Sequence, residues 1–186
     1  MILFVNPISP NISIFILEGA LCKKEMIIAQ WDDFTSFPGK IVELIKLHSI
    51  EEIWCICGPW AFTRMRIVTL TLNTLKLSQW IRLKGCHFFE LIDREIPILK
   101  ANDKEYITRV WHGDPTLIPK EEIPPGNYRG YGEKNDFTDT KVFIQYKEGF
   151  LFIETLFQKL PLSSELSPIY LKDPHITWSK KNTSHS

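Results

Sequence analysis

The sequence predicts an α/β protein, and three observations carry that prediction. Short apolar runs alternate with turn formers through residue 57 in the order strand, strand, strand, helix, strand. A Gly58-Pro59 turn then opens a long helical stretch ending near residue 78. Beyond it, further short strands precede one last helical run at 150–159.

Met1 to Val5 is apolar throughout and reads as the first strand, closed by the turn-rich Asn6-Pro7-Ile8-Ser9-Pro10-Asn11. Ile12 to Leu17 is the second strand, with a turn at Glu18-Gly19, and Glu25 to Trp31 is the third. Short breaks between the three suggest an antiparallel meander. Ile41, Leu44, Ile45 and His48 recur at helical spacing, so 40–48 is a short amphipathic helix with Lys40, Glu43 and Lys46 on its wet side. Ile53 to Cys57 is the next strand. Trp80 to Leu83 reads as a strand, Cys86 to Ile92 as a short helix, and Ile96 to Leu99 and Tyr106 to Trp111 as strands around the polar turn Asn102-Asp103-Lys104. Prolines and glycines crowd residues 112–140, which predicts surface loops with at most one short strand. Lys141 to Tyr146 is strand-like, and Leu166 to Lys172 is the last structured piece before a polar tail.

The helix at 62–78 has apolar side chains on two sides. At about 100° per residue, Met65, Val68, Leu72 and Leu75 share one side, and Ile67, Leu70 and Leu77 lie roughly opposite. Arg66, Thr69, Asn73 and Lys76 form one polar seam between them, and Arg64, Thr71 and Ser78 the other. A helix on the outside of one domain needs a single apolar face, so the second needs its own covering. Either a partner subunit or the chain's own second lobe supplies it, and periodicity does not say which face looks outward. Thr63 is placed as the helix N-cap, with Phe62 and Ile67 in the positions of a hydrophobic staple.

Composition removes several function classes. The 22 basic and 22 acidic residues cancel, so no strongly basic nucleic-acid surface shows in the totals. Cys22, Cys55, Cys57 and Cys86 have neither CxxC nor zinc spacing and read as reduced thiols. No apolar run nears the roughly 20 residues of a membrane span, and no signal peptide is recognisable, so a cytoplasmic protein is expected. Residues capable of chemistry are scattered. Thr63 lacks an adjacent base, His112-Gly113-Asp114 lacks a third ligand, Asp32-Asp33 reads as a solvated turn, and Gly130-Tyr131-Gly132 is too short for a phosphate loop. Lys172, Lys180 and Lys181 are too few to define an RNA surface.

The segment GPWAFTRMRIV at 58–68 resembles the GPGSFTGLRIG motif of the TsaB (YeaZ) family, matching at Gly58, Pro59, Phe62, Thr63, Arg66 and Ile67. The opening Ile2-Leu3-Phe4-Val5-Asn6-Pro7-Ile8 stands where that family has ILAIDTS. Asn102 to Tyr106 is loosely similar to its mid-chain DARMxEVY, and Pro168-Ile169-Tyr170-Leu171-Lys172 to its C-terminal PxYLR. The resemblance implies an actin-like (ribonuclease H-like) βββαβα first lobe at 1–95, a shortened second α+β lobe at 96–172 and a polar tail at 173–186. It further implies a non-catalytic scaffold, a pseudoenzyme that pairs with a TsaD-like enzyme to make threonylcarbamoyladenosine next to the anticodon of tRNA. A TsaE-like ATPase would join them, ATP and metal would sit on the partners, and tRNA would be met only through the complex. No cofactor, catalytic residue or metal ligand is expected in this chain. The expected partner surface is Ile41, Leu44, Phe62, Met65, Arg66, Val68, Thr69, Leu72 and Leu75, beside the motif turn Gly58, Pro59 and Thr63. Two departures argue against nucleotide chemistry. Asn6-Pro7 replaces the acid that kinases of the superfamily use at the first strand's end, and Trp60 and Arg64 replace two glycines of the motif. A homodimer of the same fold without a tRNA role, and an ATP-using enzyme of the superfamily, are the alternative readings.

Overall fold

The computed structural model describes residues 1–28, 36–60, 62–109, 113–138 and 140–170. Strands β1 (Ile2–Asn6), β2 (Ile12–Glu18) and β3 (Leu21–Ile28) form a meander, followed by α1 (Ser36–His48), β4 (Glu52–Ile56), α2 (Phe62–Gln79) and β5 (Arg82–Cys86). These strands make one mixed sheet in the order β3-β2-β1-β4-β5, with β1 antiparallel to β2 and parallel to β4. A second sheet takes β6 (Ile96–Lys100), β7 (Glu105–Thr108), β8 (Thr116–Pro119), β9 (Gly126–Tyr131) and β10 (Lys141–Gln145) in the order β10-β9-β6-β7-β8. Helix α3 (Phe150–Lys159) follows. The arrangement is an actin-like two-lobe α/β fold.

Strand alternation builds the two faces of the first sheet. Leu3, Val5, Ile14, Ile16, Ile53 and Cys55 point to the side carrying α1 and α2, and all are buried there. Phe4, Phe15, Trp54 and Ile56 point the other way, toward α3 and toward Leu99, Ile107 and Tyr131 of the second sheet. The Phe157 ring of α3 stacks on Trp54 at 5.0 Å between centroids and meets Phe4 edge-on at 5.8 Å. Lys84 Nζ donates to the Phe157 carbonyl (2.8 Å), which also accepts from the Leu160 N–H (3.2 Å) at the helix C-terminus. Thus α3, expected in the second lobe, packs on the first sheet. The outer face of the second sheet is closed by its own loops, where Ile123 and Phe137 cover Ile98, Tyr106 and Tyr128.

Several expectations need correction. The third strand begins at Leu21 rather than Glu25, because Gly19 (φ +60°) turns the chain tightly and the edge strand stays paired while exposed. The fifth strand starts at Arg82, since Trp80 takes a left-handed conformation (φ +57°) that ends α2. The expected helix at 86–92 is one 3-10 turn at 88–91. The proline- and glycine-rich stretch holds two strands, β8 and β9, and β9 is interior, paired with both β6 and β10. Gly130 is needed there: a Cβ would fall on the Ile98 backbone. Helix α2 begins at Phe62, so Thr63 lies exposed in its first turn and is not the N-cap. Asp32-Asp33, His112, Lys172, Lys180 and Lys181 lie outside the described residues.

The expected partner surface is corrected most. Ile41, Leu44, Met65, Val68, Leu72 and Leu75 are buried in the chain's own core. Thr69 is buried too, its hydroxyl donating to the Met65 carbonyl at 2.9 Å. That face of α2 lies on the sheet, as a helix between parallel strands must. Of the nine residues only Arg66 is exposed, and the Phe62 side chain lies outside the described part. The outward face is the opposite one, with Leu70 63% and Leu77 82% exposed.

Candidate functional site

At the C-terminal end of β1, where kinases of this fold are expected to hold an acid, Asn6 is fully buried. Its Oδ1 accepts from the Ile8 N–H (3.0 Å), closing an Asx turn that fixes the loop. Its Nδ2 donates to the Tyr131 hydroxyl (2.9 Å) and to Glu148 Oε1 (2.8 Å). Tyr131 ends β9 and Glu148 follows β10, so both donor hydrogens of the amide tie the first lobe to the second. Burial pushes the Tyr131 phenol well above its ordinary value and keeps it a neutral donor, directed at Glu148 Oε1 (3.3 Å). An amide suits this position because it gives two hydrogens to neighbours that accept them. A carboxylate would meet Glu148 with like charge.

Next to this cluster, Arg64 is only 3% exposed. Its Nη1 donates to the carbonyls of Pro7 (3.1 Å) and Ser9 (2.7 Å), and Nη2 to that of Pro10 (3.2 Å). The Trp60 ring lies against the guanidinium, 5.9 Å from its centroid. Burial holds the Arg64 pKa below its ordinary value, without the cation being lost at neutral pH. The two side chains that replace motif glycines therefore occupy the space beside the β1–β2 loop and turn its carbonyls onto an internal cation. That loop presents carbonyl oxygens engaged by arginine rather than free N–H groups, which suits an anion poorly.

The Gly58 turn serves a different end. With φ +129°, Gly58 leaves no room for a Cβ, which would come 2.6 Å from the Ile169 carbonyl oxygen. The C-terminal strap, residues 163–170, runs over this turn. Ile169 N–H donates to the Cys57 carbonyl (2.8 Å) and Ser163 N–H to that of Leu83 (2.8 Å). The polar seam of α2 receives the strap: Asn73 Nδ2 donates to the Leu166 carbonyl (2.9 Å) and Asn73 Oδ1 accepts from the Leu166 N–H (2.8 Å). Lys76 Nζ reaches the carbonyls of Ser163 (3.0 Å) and Ser164. Arg66, expected in the partner surface, is exposed at the motif end of the same seam and acts electrostatically on Tyr170. The motif at 58–68 and the described part of the motif at 168–172 thus meet, and the seam between the apolar faces is a docking strip for the chain itself.

The outward side of α2 carries exposed apolar side chains. Thr63, Ile67, Leu70, Thr74 and Leu77 follow each other at spacings of four, three, four and three along α2, the pattern of a helix-packing seam. The Thr74 hydroxyl donates to the Leu70 carbonyl (2.9 Å). Helices α1 and α2 lead into the adjacent parallel strands β4 and β5, so their C-terminal ends lie at the same end of the sheet, where these two strands begin. Leu47 (65% exposed) and Leu77 lie in the last turns of α1 and α2, and Trp80 (93% exposed) follows α2 directly. Holding tryptophan in a left-handed conformation costs about 1–2 kcal/mol, and its own chain covers almost none of it. Leu70 and Leu77 were visible in the sequence as a face. Asn73, Tyr131 and Glu148 acquire their roles only through contacts distant in sequence, and Leu47 and Trp80 are marked only by their exposure in the folded chain. Among the described residues no group of three or more His, Cys, Asp or Glu could hold a metal, and no helix is long and apolar enough to cross a membrane.

No protein-family model and no curated protein matches the sequence. Solved structures do match. YeaZ from Pseudomonas aeruginosa superposes with a TM-score of 0.63 at 12% identity, covering 91% of this chain and 99% of that one. An uncharacterized protein from Pseudomonas aeruginosa, described as similar to the peptidase YEAZ, gives 0.64 at 12% identity, covering 92% and 99%. The chain has a YeaZ-like fold over nearly its whole described length.

Proposed function

We propose that this chain is a TsaB-like, non-catalytic scaffold subunit that docks on a TsaD-like enzyme for threonylcarbamoyladenosine modification of tRNA. The observation that carries the reading is the uncovered seam Leu70–Thr74–Leu77, beside the half-buried Ile67, on α2 of a YeaZ-like fold. A stable partner buries about 800 Å² per side, and aromatic anchors dominate such surfaces. The α1–α2 layer with Trp80 offers apolar side chains of that kind. The occupied loop beside Arg64 supports a role without nucleotide chemistry in this chain, leaving ATP and metal to the TsaD-like and TsaE-like partners. Contact with tRNA is then made through the complex. The test is co-expression with the TsaD homologue of the same genome and affinity capture through a tag on the enzyme. Stoichiometric co-purification is expected. Absence of a complex, or a stable dimer of this chain that excludes the enzyme, refutes the assignment and favours the homodimer without a tRNA role.

A further inference from the structure

A cavity of about 360 Å³ lies between the inter-sheet linker, β9 and the start of α3, beside the Asn6 cluster, whose Tyr131 meets Tyr146 of the lining edge-on at 5.7 Å, and with no residue of α1 or α2 in its lining. Three cations line it. Arg94 and Lys147 have no ion pair and no side-chain hydrogen bond among the described residues. Arg129 is held by Glu95 through Nη2 (2.6 Å), while its Nε is buried with no partner. Glu95 is thereby neutralised, and Asp93 is the unpaired acid of the lining. The lining also includes the apolar Leu91 and Ile92 and two aromatic side chains, Tyr146 buried and Phe152 exposed. Helix α3 starts here at Gly149, which supplies no side-chain cap, and its first turn carries no acidic residue. Its first backbone bond is Ile153 N–H to Gly149 C=O (2.9 Å), so the amides of 150–152 have no helical partner.

We propose that this cavity binds a small phosphorylated molecule with a flat apolar body. Arg94, Arg129 and Lys147 would hold the phosphoryl oxygens together with the first-turn amides of α3, and Tyr146 and Phe152 would pack on the body. The exposed cations Arg94 and Lys147 are what such an anion satisfies, and aromatic lining adds affinity for a ring over a bare ion. The site stands independently of the docking reading, since none of its residues lies on α1 or α2.

Phenyl phosphate is the probe, titrated calorimetrically into the full chain beside inorganic phosphate and benzyl alcohol. One saturable site for phenyl phosphate is expected, about tenfold tighter than for inorganic phosphate, with no saturation by benzyl alcohol. The double variant R94Q/K147Q alters exposed side chains, so the melting temperature should hold while phenyl phosphate affinity falls by at least about tenfold. F152S should weaken phenyl phosphate severalfold and leave inorganic phosphate unchanged. Absence of saturable phenyl phosphate binding overturns the proposal, as does binding unaffected by R94Q/K147Q. Equal affinity for the aryl ester and the bare ion overturns the assigned ligand class.

Discussion

Replacing Arg64 by alanine removes a cation that holds three carbonyls of one loop. Each hydrogen bond to a charged group contributes about 1.5–3 kcal/mol net. The loop's outer end is exposed at Pro10, so water replaces part of the loss there. Pro7 and Ser9 lie inside and are deprived more fully. The structure therefore predicts a loss of about 3 kcal/mol for R64A, a large share of the 5–15 kcal/mol that domains possess. With a urea slope of about 2 kcal/mol/M, the midpoint falls by roughly 1.5 M. R64M keeps most of the apolar stem against Trp60 while losing the charge, and should recover under half of the deficit. R64K keeps the charge but cannot span three carbonyls, and should fall between wild type and R64M. Equilibrium urea unfolding followed by circular dichroism reads all three. An R64A midpoint within about 0.3 M of wild type, corresponding to less than about 0.6 kcal/mol, refutes the view that arginine organises this loop.

Further outcomes follow from the same contacts. N6D sets a carboxyl beside Glu148 Oε1, which raises the pKa of the introduced group above its unfolded value. The variant should approach wild-type stability below the unfolded carboxyl pKa, near pH 4, and lose about 1–3 kcal/mol as pH rises toward 7. Unfolding curves at both pH values check the sign. N73A deletes both hydrogen bonds to Leu166 and should cost about 1–2 kcal/mol, with limited proteolysis cutting residues 160–170 faster than in wild type. Ellman's reagent should titrate Cys22 alone in the native chain, because Cys55, Cys57 and Cys86 are buried and burial pushes the Cys86 thiol well up. Full reaction of all four should require denaturant.

Much of the first lobe was legible because its strands carry their own signal. Ile12 to Leu17 is apolar except at Ser13 and lies inside the sheet, and the GP turn announces α2. The rest was hidden for identifiable reasons. Edge strand β3 is exposed along most of its length, so Cys22-Lys23-Lys24 carries no apolar periodicity. Strand β9 reads as a loop because Gly126 and Gly130 are there for close packing rather than for turning. The two faces of α2 have nearly equal apolar content, so periodicity exposed the ambiguity without resolving it. The connection to β5 and the strap on Asn73, from 93 residues away, decide it. The Asn6 cluster needed Tyr131 and Glu148 from the other end of the chain.

The outward seam of α2 is tested most directly by substituting one face at a time and measuring the complex. L70D/L77D should fold with a melting temperature within about 2 °C of wild type, since both side chains already face solvent. Mixed with the TsaD homologue, wild type should elute as a 1:1 or higher complex by size-exclusion chromatography with light scattering. L70D/L77D should elute separately. M65D or L72D should instead lose the fold, at a cost of at least about 4 kcal/mol. A complex that survives L70D/L77D at wild-type affinity, or never forms with wild type, contradicts the account.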